Sequence, residues 1–162
     1  MKILVFFILL ALCVADLDIN GLREFSKAFL LKVGVNEDKP ALVNCLSEDI
    51  VKSWNKIYKG LKEVKWDNLD FIVYAAVMDA SGALGIFGDV IRCSKNPKII
   101  VEKITQMGEL LKDQDKLKNE VKENEKEITE LIKHQISHND NKEMKKAGDN
   151  LGDFIKLLFY KT

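Results

Sequence analysis

Apolar residues recur every three or four positions along most of the chain, which is the spacing of amphipathic helices. The clearest example follows Ser47, where the lysines face away from a single apolar stripe. That stripe comprises Ile50, Trp54, Ile57, Tyr58 and Leu61. Similar stripes predict helices over 22–33, 99–111, 117–136 and 144–158. No segment shows a sustained two-residue alternation rich in β-branched residues, so the pattern predicts essentially no sheet.

Turn and capping residues predict where these helices begin and end. Gly34 ends the first helix, and Pro40 fits only the first turn of a short second segment. Asn96-Pro97 predicts a helix start, and the stripe breaks near 113–115. Asn139 or Asp140 is expected to cap the last helix. The pattern leaves open whether 38–61 is one kinked helix or two.

The stretch from Trp66 to Cys93 is the most apolar part of the chain after the first fifteen residues. From Leu69 to Met78 its apolar residues cover nearly the whole helical circumference, which is typical of a helix surrounded by others. The sequence at 79–82 interrupts this run. We therefore expect a central helical hairpin that turns at Gly82, inside a compact all-α bundle of about five or six helices.

Gly82, Gly85 and Gly88 recur every three residues, although each glycine inside a helix costs about 1 kcal/mol relative to alanine. Three interpretations compete: close approach of a neighbouring helix after a turn at Gly82, an apolar ligand cavity, and a membrane-inserting segment. The candidate lining for a ligand or a partner is Phe71, Tyr74, Met78, Gly82, Gly85, Phe87 and Gly88. Asp79 is expected to cap a helix that begins at Ser81; the alternative is a buried acid with a raised pKa.

The first fifteen residues have the three parts of a secretory signal peptide: Lys2, the apolar run 3–12, and small residues at Cys13 and Ala15. Cleavage is expected after Ala15, which leaves 16–162 as a single helical domain. The alternatives are a retained anchor or a buried N-terminal helix. Acylation of Cys13 is disfavoured because Leu12 is bulky. The expected location is the secretory lumen or the cell exterior.

Removal of Cys13 with this leader would leave Cys45 and Cys93 as the two cysteines. In an oxidising compartment they are expected to form a disulfide. Removal of Lys2 would leave 24 basic against 25 acidic residues, a formal net charge of −1. Such a balance, with the signs interspersed, argues against a nucleic-acid partner, which requires clustered uncompensated cations.

The sequence contains no recognisable catalytic motif and only a weak candidate metal site. The serines lie in no GxSxG context, and the cysteines are assigned to the disulfide. Glu130, His134 and His138 are spaced along one helix face and form a weak candidate for three metal ligands, but no HExxH motif is present. The expectation is no metal, no cofactor and no enzymatic activity.

The predicted leader, the two cysteines and the closing AGDNLGDFIKLLF at 147–159 together resemble small secreted helix-rich proteins of ciliated protozoa. Members of this group largely have no assigned activity, so the resemblance implies a helical secreted protein and brings no site residues.

The function expected from these features is a non-enzymatic secreted or lumenal binding protein. It would hold a small apolar ligand in its core or contact a protein partner, with no membrane contact after leader cleavage. The alternatives are a structural lumenal or granule component that self-associates through a seam on 117–136, and a membrane-active protein acting through 81–91.

Overall fold

The computed structural model of the chain describes residues 16–161, which form an all-α fold with no strand in this range. The predicted fold class is confirmed. The leader assigned to residues 1–15 lies outside the described part and stays a prediction. The helices are α1 Ile19–Lys32, α2 Lys39–Val43, α3 Glu48–Lys62, α4 Leu69–Val90, α5 Pro97–Lys112, α6 Gln114–Glu123, α7 Glu125–Asp140 and α8 Met144–Phe159, with a 3-10 turn at Ile91–Cys93.

Eight α-helices in the described range exceed the predicted five or six. One reason is that 38–61, left open by the sequence, contains two helices, α2 and α3. Another is that the charged region separates into α6 and α7 at Asn124, which ends one helix and begins the next. The predicted break near 113–115 is present, because α5 ends at Lys112 and the Asp113 carboxylate accepts the backbone N–H of Lys116 at 3.0 Å.

The central hairpin prediction is wrong, because α4 is one uninterrupted helix of 22 residues. Gly82 is an ordinary helical residue in its middle. Asn68 is the N-cap of this helix, and its side chain accepts the backbone N–H of Asp70 at 2.9 Å. Helix α4 therefore runs through the molecule without a turn, and α1, α3 and α8 supply much of the apolar surface of the core.

Two glycines let α8 pack closely against a neighbouring helix. A Cβ atom on Gly148 would lie only 2.1 Å from the carbonyl oxygen of Phe25, and one on Gly152 would lie 2.3 Å from Cβ of Lys32. The two glycines, four residues apart, thus let the backbone of α8 lie directly against α1.

The C-terminal end of α4 is fastened to the segment between α2 and α3. Cys45 and Cys93 form the disulfide, with their Cα atoms 5.9 Å apart. Beside it, Asp89 accepts hydrogen bonds from the backbone N–H of Ser47 at 2.9 Å and from its hydroxyl at 2.8 Å. Ser47 stands at the start of α3 as expected, although its side chain bonds to α4 instead of capping its own helix.

Aromatic side chains from α1, α3 and α4 fill the centre. Phe25 meets Trp54 edge-on at a centroid distance of 4.9 Å, and Trp54 lies 5.6 Å from Tyr58. Phe29 packs against Phe87 at 5.2 Å. All five rings are buried, and burial of each such side chain is worth roughly 1.5–3 kcal/mol. This cluster holds α3 against α1 and positions the groove that α3 forms with α4.

Candidate binding groove and a buried polar pair

An open groove with a volume of about 300 Å³ runs between α3 and α4. Ile50, Trp54 and Ile57 line it from α3, and Gly82 and Gly85 line it from α4. A Cβ on Gly82 would lie 2.5 Å from Cζ2 of Trp54, so the indole ring rests on the glycine backbone. The missing side chains on α4 therefore leave room that apolar atoms of α3 only partly fill.

Three polar side chains also line this groove: Ser53 and Lys56 from α3, and Ser81 from α4. The Ser81 hydroxyl donates to the carbonyl of Val77 at 2.8 Å, so its hydrogen-bonding capacity is partly used. Lys56 is exposed and makes no ion pair with any residue in 16–161. The groove thus combines an apolar lining with hydroxyl groups and one available cation.

The seven predicted lining residues do not share one site. Gly82 and Gly85 line the groove. Met78 lies beside it, over Gly60 of α3, where a built Cβ would be 2.5 Å from the Met78 methyl carbon. Phe87 is fully buried on the opposite side of α4 against Phe29. The other three, Phe71, Tyr74 and Gly88, are exposed.

The outward face of α4 is defined here by Phe71, Tyr74, Ser81 and Gly88, and the exposed Asp70 at its N-terminal end pairs with Lys118 of α6. Phe71 is 43% exposed and Tyr74 is 57% exposed. Asp79 is the single charged residue between 71 and 88, and it is buried. In a chain with 31% charged residues, the exposed positions of this face beyond Asp70 are uncharged and include two large aromatic side chains.

Helix α4 with its 3-10 turn, Leu69–Cys93, is long and apolar enough to cross a bilayer, with a mean hydropathy of 1.6. Half of an 18-residue apolar window in that stretch is buried inside the protein. The core helix of a globular bundle has the same composition, and the packing of α4 against α3 and α7 accounts for it.

Asp79 does not cap a helix at Ser81, and that prediction is wrong. The residue lies in the middle of α4, fully buried, where its Oδ1 accepts a hydrogen bond of 2.8 Å from Nε2 of Gln135 on α7. The same Gln135 nitrogen lies 3.4 Å from the hydroxyl of Tyr58 on α3. The three polar side chains therefore join α3, α4 and α7 inside the core.

The pair formed by Asp79 and Gln135 is incompletely hydrogen-bonded. Asp79 Oδ2 and Gln135 Oε1 are both buried and have no partner among residues 16–161. Burial raises the pKa of the Asp79 carboxyl from 3.8 to about 7, although the Gln135 hydrogen bond acts in the opposite direction. The pKa of Tyr58 is also raised well above its ordinary value, chiefly by burial, which keeps the phenol neutral.

Gln135 was missed at the sequence level. It follows Ile128 and Ile132 at helical spacing and so occupies the third position of the buried stripe of α7. A polar residue at an apolar position was the available signal. Its partner Asp79 is 56 residues away, which no local pattern reveals.

The seam on 117–136 faces the protein's own core. Leu117, Val121, Ile128 and Ile132 are buried, so the apolar positions expected to pair with another chain are already occupied. On the same helix, Nδ1 of His138 lies 3.2 Å from Oε1 of Glu143. Glu130, His134 and His138 belong to no group of three or more residues placed to hold a metal ion within the described chain.

Comparison of the chain with protein-family models, curated proteins and solved structures found no match. The resemblance to secreted ciliate proteins therefore remains a prediction, and function has to be argued from the groove, the outward face and the buried pair.

Proposed function

We propose that this protein is a non-enzymatic binding protein of the secretory pathway that holds a small apolar ligand in the groove between α3 and α4. The observation that carries the proposal is the lining: Ile50, Trp54 and Ile57 face the side-chain-free backbone at Gly82 and Gly85. Small-molecule sites are typically concave and mostly apolar, with a few polar groups that orient the ligand.

The size and the rim of the groove favour a particular class of ligand. A volume of about 300 Å³ lies at the lower limit for small-molecule sites, which fits a slender apolar chain better than a fused ring system. Lys56 supplies a cation beside the apolar lining. An apolar chain that ends in a carboxylate satisfies both features, with its chain along the partly exposed Ile50 and Ile57 and its head group at Lys56.

Fluorescence energy transfer tests this proposal. The chain has two tryptophans, so the Trp66→Phe variant keeps Trp54 as the single donor in the groove. Titration with dansylaminoundecanoic acid should then give saturable transfer from Trp54 to the dansyl group. No saturable transfer would overturn the proposal.

Two glycines on the same helix supply matched variants. A Cβ on Gly85 would lie 3.2 Å from Cδ1 of Ile50, so Gly85→Leu should fill the groove and weaken binding at least tenfold. A Cβ on Gly88 meets no atom within 4 Å, so Gly88→Leu should leave the affinity unchanged. Equal loss in both variants would place the ligand outside the groove and contradict the proposal.

The head-group assignment has its own control. Lys56→Gln should weaken binding of the acid about two- to fivefold, the usual worth of an exposed ion pair, and should leave binding of its methyl ester unchanged. The same loss for acid and ester would show that Lys56 contributes through its aliphatic stem.

A second candidate function is association with another protein through the outward face of α4. The exposed Phe71 and Tyr74 favour it, because aromatic residues are enriched in protein interfaces. The structural alternative of a self-associating lumenal component moves to this face, since the seam on 117–136 is buried. Sedimentation at increasing concentration tests it: a Tyr74→Lys variant should shift any self-association toward monomer.

A further inference from the structure

The buried carboxyl of Asp79 on α4 faces the buried amide of Gln135 on α7. Each group has one oxygen atom that accepts no hydrogen bond. Gln135 Nε2 donates to Asp79 Oδ1, while Asp79 Oδ2 and Gln135 Oε1 are both acceptors without a donor in the described chain. A buried polar atom without a partner is costly, so such an arrangement calls for an explanation. A single proton on Asp79 Oδ2 that is donated to Gln135 Oε1 would engage both oxygens in a hydrogen bond.

We propose that Asp79 and Gln135 form a proton-binding site whose occupancy holds α7 against α4. In the occupied state the neutral carboxyl donates from Oδ2 to Gln135 Oε1 while Nε2 donates to Oδ1, which closes a ring of two hydrogen bonds. The proton exchanges with solvent, and its loss leaves a buried carboxylate facing an amide oxygen. The α4–α7 contact then loosens to admit water. This inference does not depend on the proposed ligand.

Among residues 16–161, no cation offsets the charge of the deprotonated carboxyl. Burial raises the Asp79 pKa to about 7, and the Gln135 hydrogen bond opposes that rise. From α3 the facing titratable group is Tyr58, which stays neutral. Several charged groups of the neighbouring helices are paired with other partners: Lys118 of α6 with Asp70, Lys103 of α5 with the Tyr160 ring, Lys62 of α3 with Asp140 of α7, and Asp153 of α8 with Lys32.

Helix α8 strengthens this isolation. The side chains it contributes to the core are apolar, including Leu151, Phe154 and Ile155. Because the described residues provide no cation for ionised Asp79, its charge draws water between the helices, which is why the contact with α7 is expected to respond to pH.

Denaturant unfolding of the full chain at pH 5 and pH 8 tests the proposal, with Asp79→Asn as the key variant. The new amide can donate to Gln135 Oε1 and accept from Nε2, so it imitates the protonated state at every pH. The ratio of the unfolding equilibrium constants, wild type over variant, should rise about tenfold per pH unit where only the folded wild type holds the proton. Asp70→Asn, on the exposed side of the same helix, is the matched control and should leave the wild-type pH dependence unchanged. A ratio that does not change with pH would overturn the proposal.

Carboxyl and amide NMR of the wild-type chain keeps the proposal testable if Asp79→Asn does not fold. The Asp79 carboxyl should titrate near neutrality, and the Gln135 side-chain NH₂ signals should shift with the same midpoint. Carboxyl titration below pH 5, or Gln135 signals that ignore the transition, would overturn it. Amide exchange at pH 8 should be faster in α7 of the wild type than of Asp79→Asn, and equal rates there would contradict the loosening of α7.

Discussion

The glycines of this protein differ in how much space surrounds an added side chain. At Gly148 the nearest obstacles are backbone atoms of α1, with the Phe25 carbonyl oxygen 2.1 Å from the position of a Cβ. A flexible side chain could move aside, but a buried helical backbone cannot do so without separating two helices. Gly148→Ala is therefore expected to destabilise the fold by about 2–4 kcal/mol. This loss is at or above the usual cost of overpacking a core. Urea unfolding followed by circular dichroism measures it.

Gly108 supplies the control for this prediction. It lies inside α5, and a Cβ there would meet no atom within 4 Å. Gly108→Ala should stabilise the protein by up to about 1 kcal/mol, because alanine has the higher helix propensity. If the two substitutions shift the unfolding midpoint in the same direction, the close contact between α1 and α8 is not what the structure indicates.

The disulfide links two elements that are distant in the chain. Cys45 follows α2 and Cys93 ends the 3-10 turn after α4, with a sequence separation of 48. In the chain-entropy model a loop of this length corresponds to about 4 kcal/mol of restricted unfolded-state entropy. The double variant Cys45→Ser with Cys93→Ser should lose about 2–4 kcal/mol of stability. Adding a reductant should lower the wild-type midpoint toward that of the variant and leave the variant unchanged.

Element boundaries were predictable from the sequence where one residue determines them. Gly34 ends α1 with a φ of +83°, a conformation that glycine adopts without strain. Pro97 begins α5 and Asp113 begins α6 for equally local reasons. The pattern failed at Gly82, where a local rule predicted a turn. The helix continues there because Trp54 of α3 packs on the bare backbone, and that compensation is visible only in three dimensions.

The candidate sites were likewise predictable only where neighbouring residues in the sequence determine them. The glycines at 82 and 85 marked the groove in the sequence, but Phe87 points to the other side of α4, because its place around the helix depends on the helix being continuous. For Asp79 the sequence favoured a helix cap, which is wrong, and left a buried acid as the alternative, which agrees with its burial in α4. Its partner on α7 could not be inferred, since pairing across 56 residues depends on the packing of whole helices.

At the scale of the whole molecule, charge and apolar surface are segregated. Acidic and basic residues number 25 each, and they cover α3, α6 and α7 with interspersed signs. The outward face of α4 is the contrasting region, partly aromatic and uncharged beyond Asp70 in its first turn. A surface on which positive and negative charges are balanced and interspersed provides little long-range attraction to nucleic acid. Recognition by this protein is therefore expected to depend on apolar contact at α4 and its groove with α3.

The pH dependence of overall stability follows from two carboxyl groups that act in opposite directions. The pKa of Glu37 is lowered, first by the hydrogen bond from the Ser94 hydroxyl, and its carboxylate also accepts the backbone N–H groups of Lys95 and Asn96 at 2.7 Å. Its contribution is present above its ordinary pKa of 4.5 and is lost as the pH falls further. Asp79 has the opposite sign, because its pKa rises from 3.8 in the unfolded chain to about 7 in the folded one.

Between the two pKa values of Asp79, 3.8 in the unfolded chain and about 7 in the folded one, the folded state holds a proton that the unfolded state has released. Stability therefore falls as the pH rises from about 4 to 7 and is level above that range. A shift of about three pKa units corresponds to roughly 4 kcal/mol as an upper limit. Together the two groups place maximal stability near pH 4. Thermal unfolding across pH 3 to 9 measures this profile, and Asp79→Asn should extend the maximum into the neutral range. A wild-type protein more stable at pH 8 than at pH 5 would contradict the prediction, since it would require the buried carboxyl to be ionised in the folded state without cost.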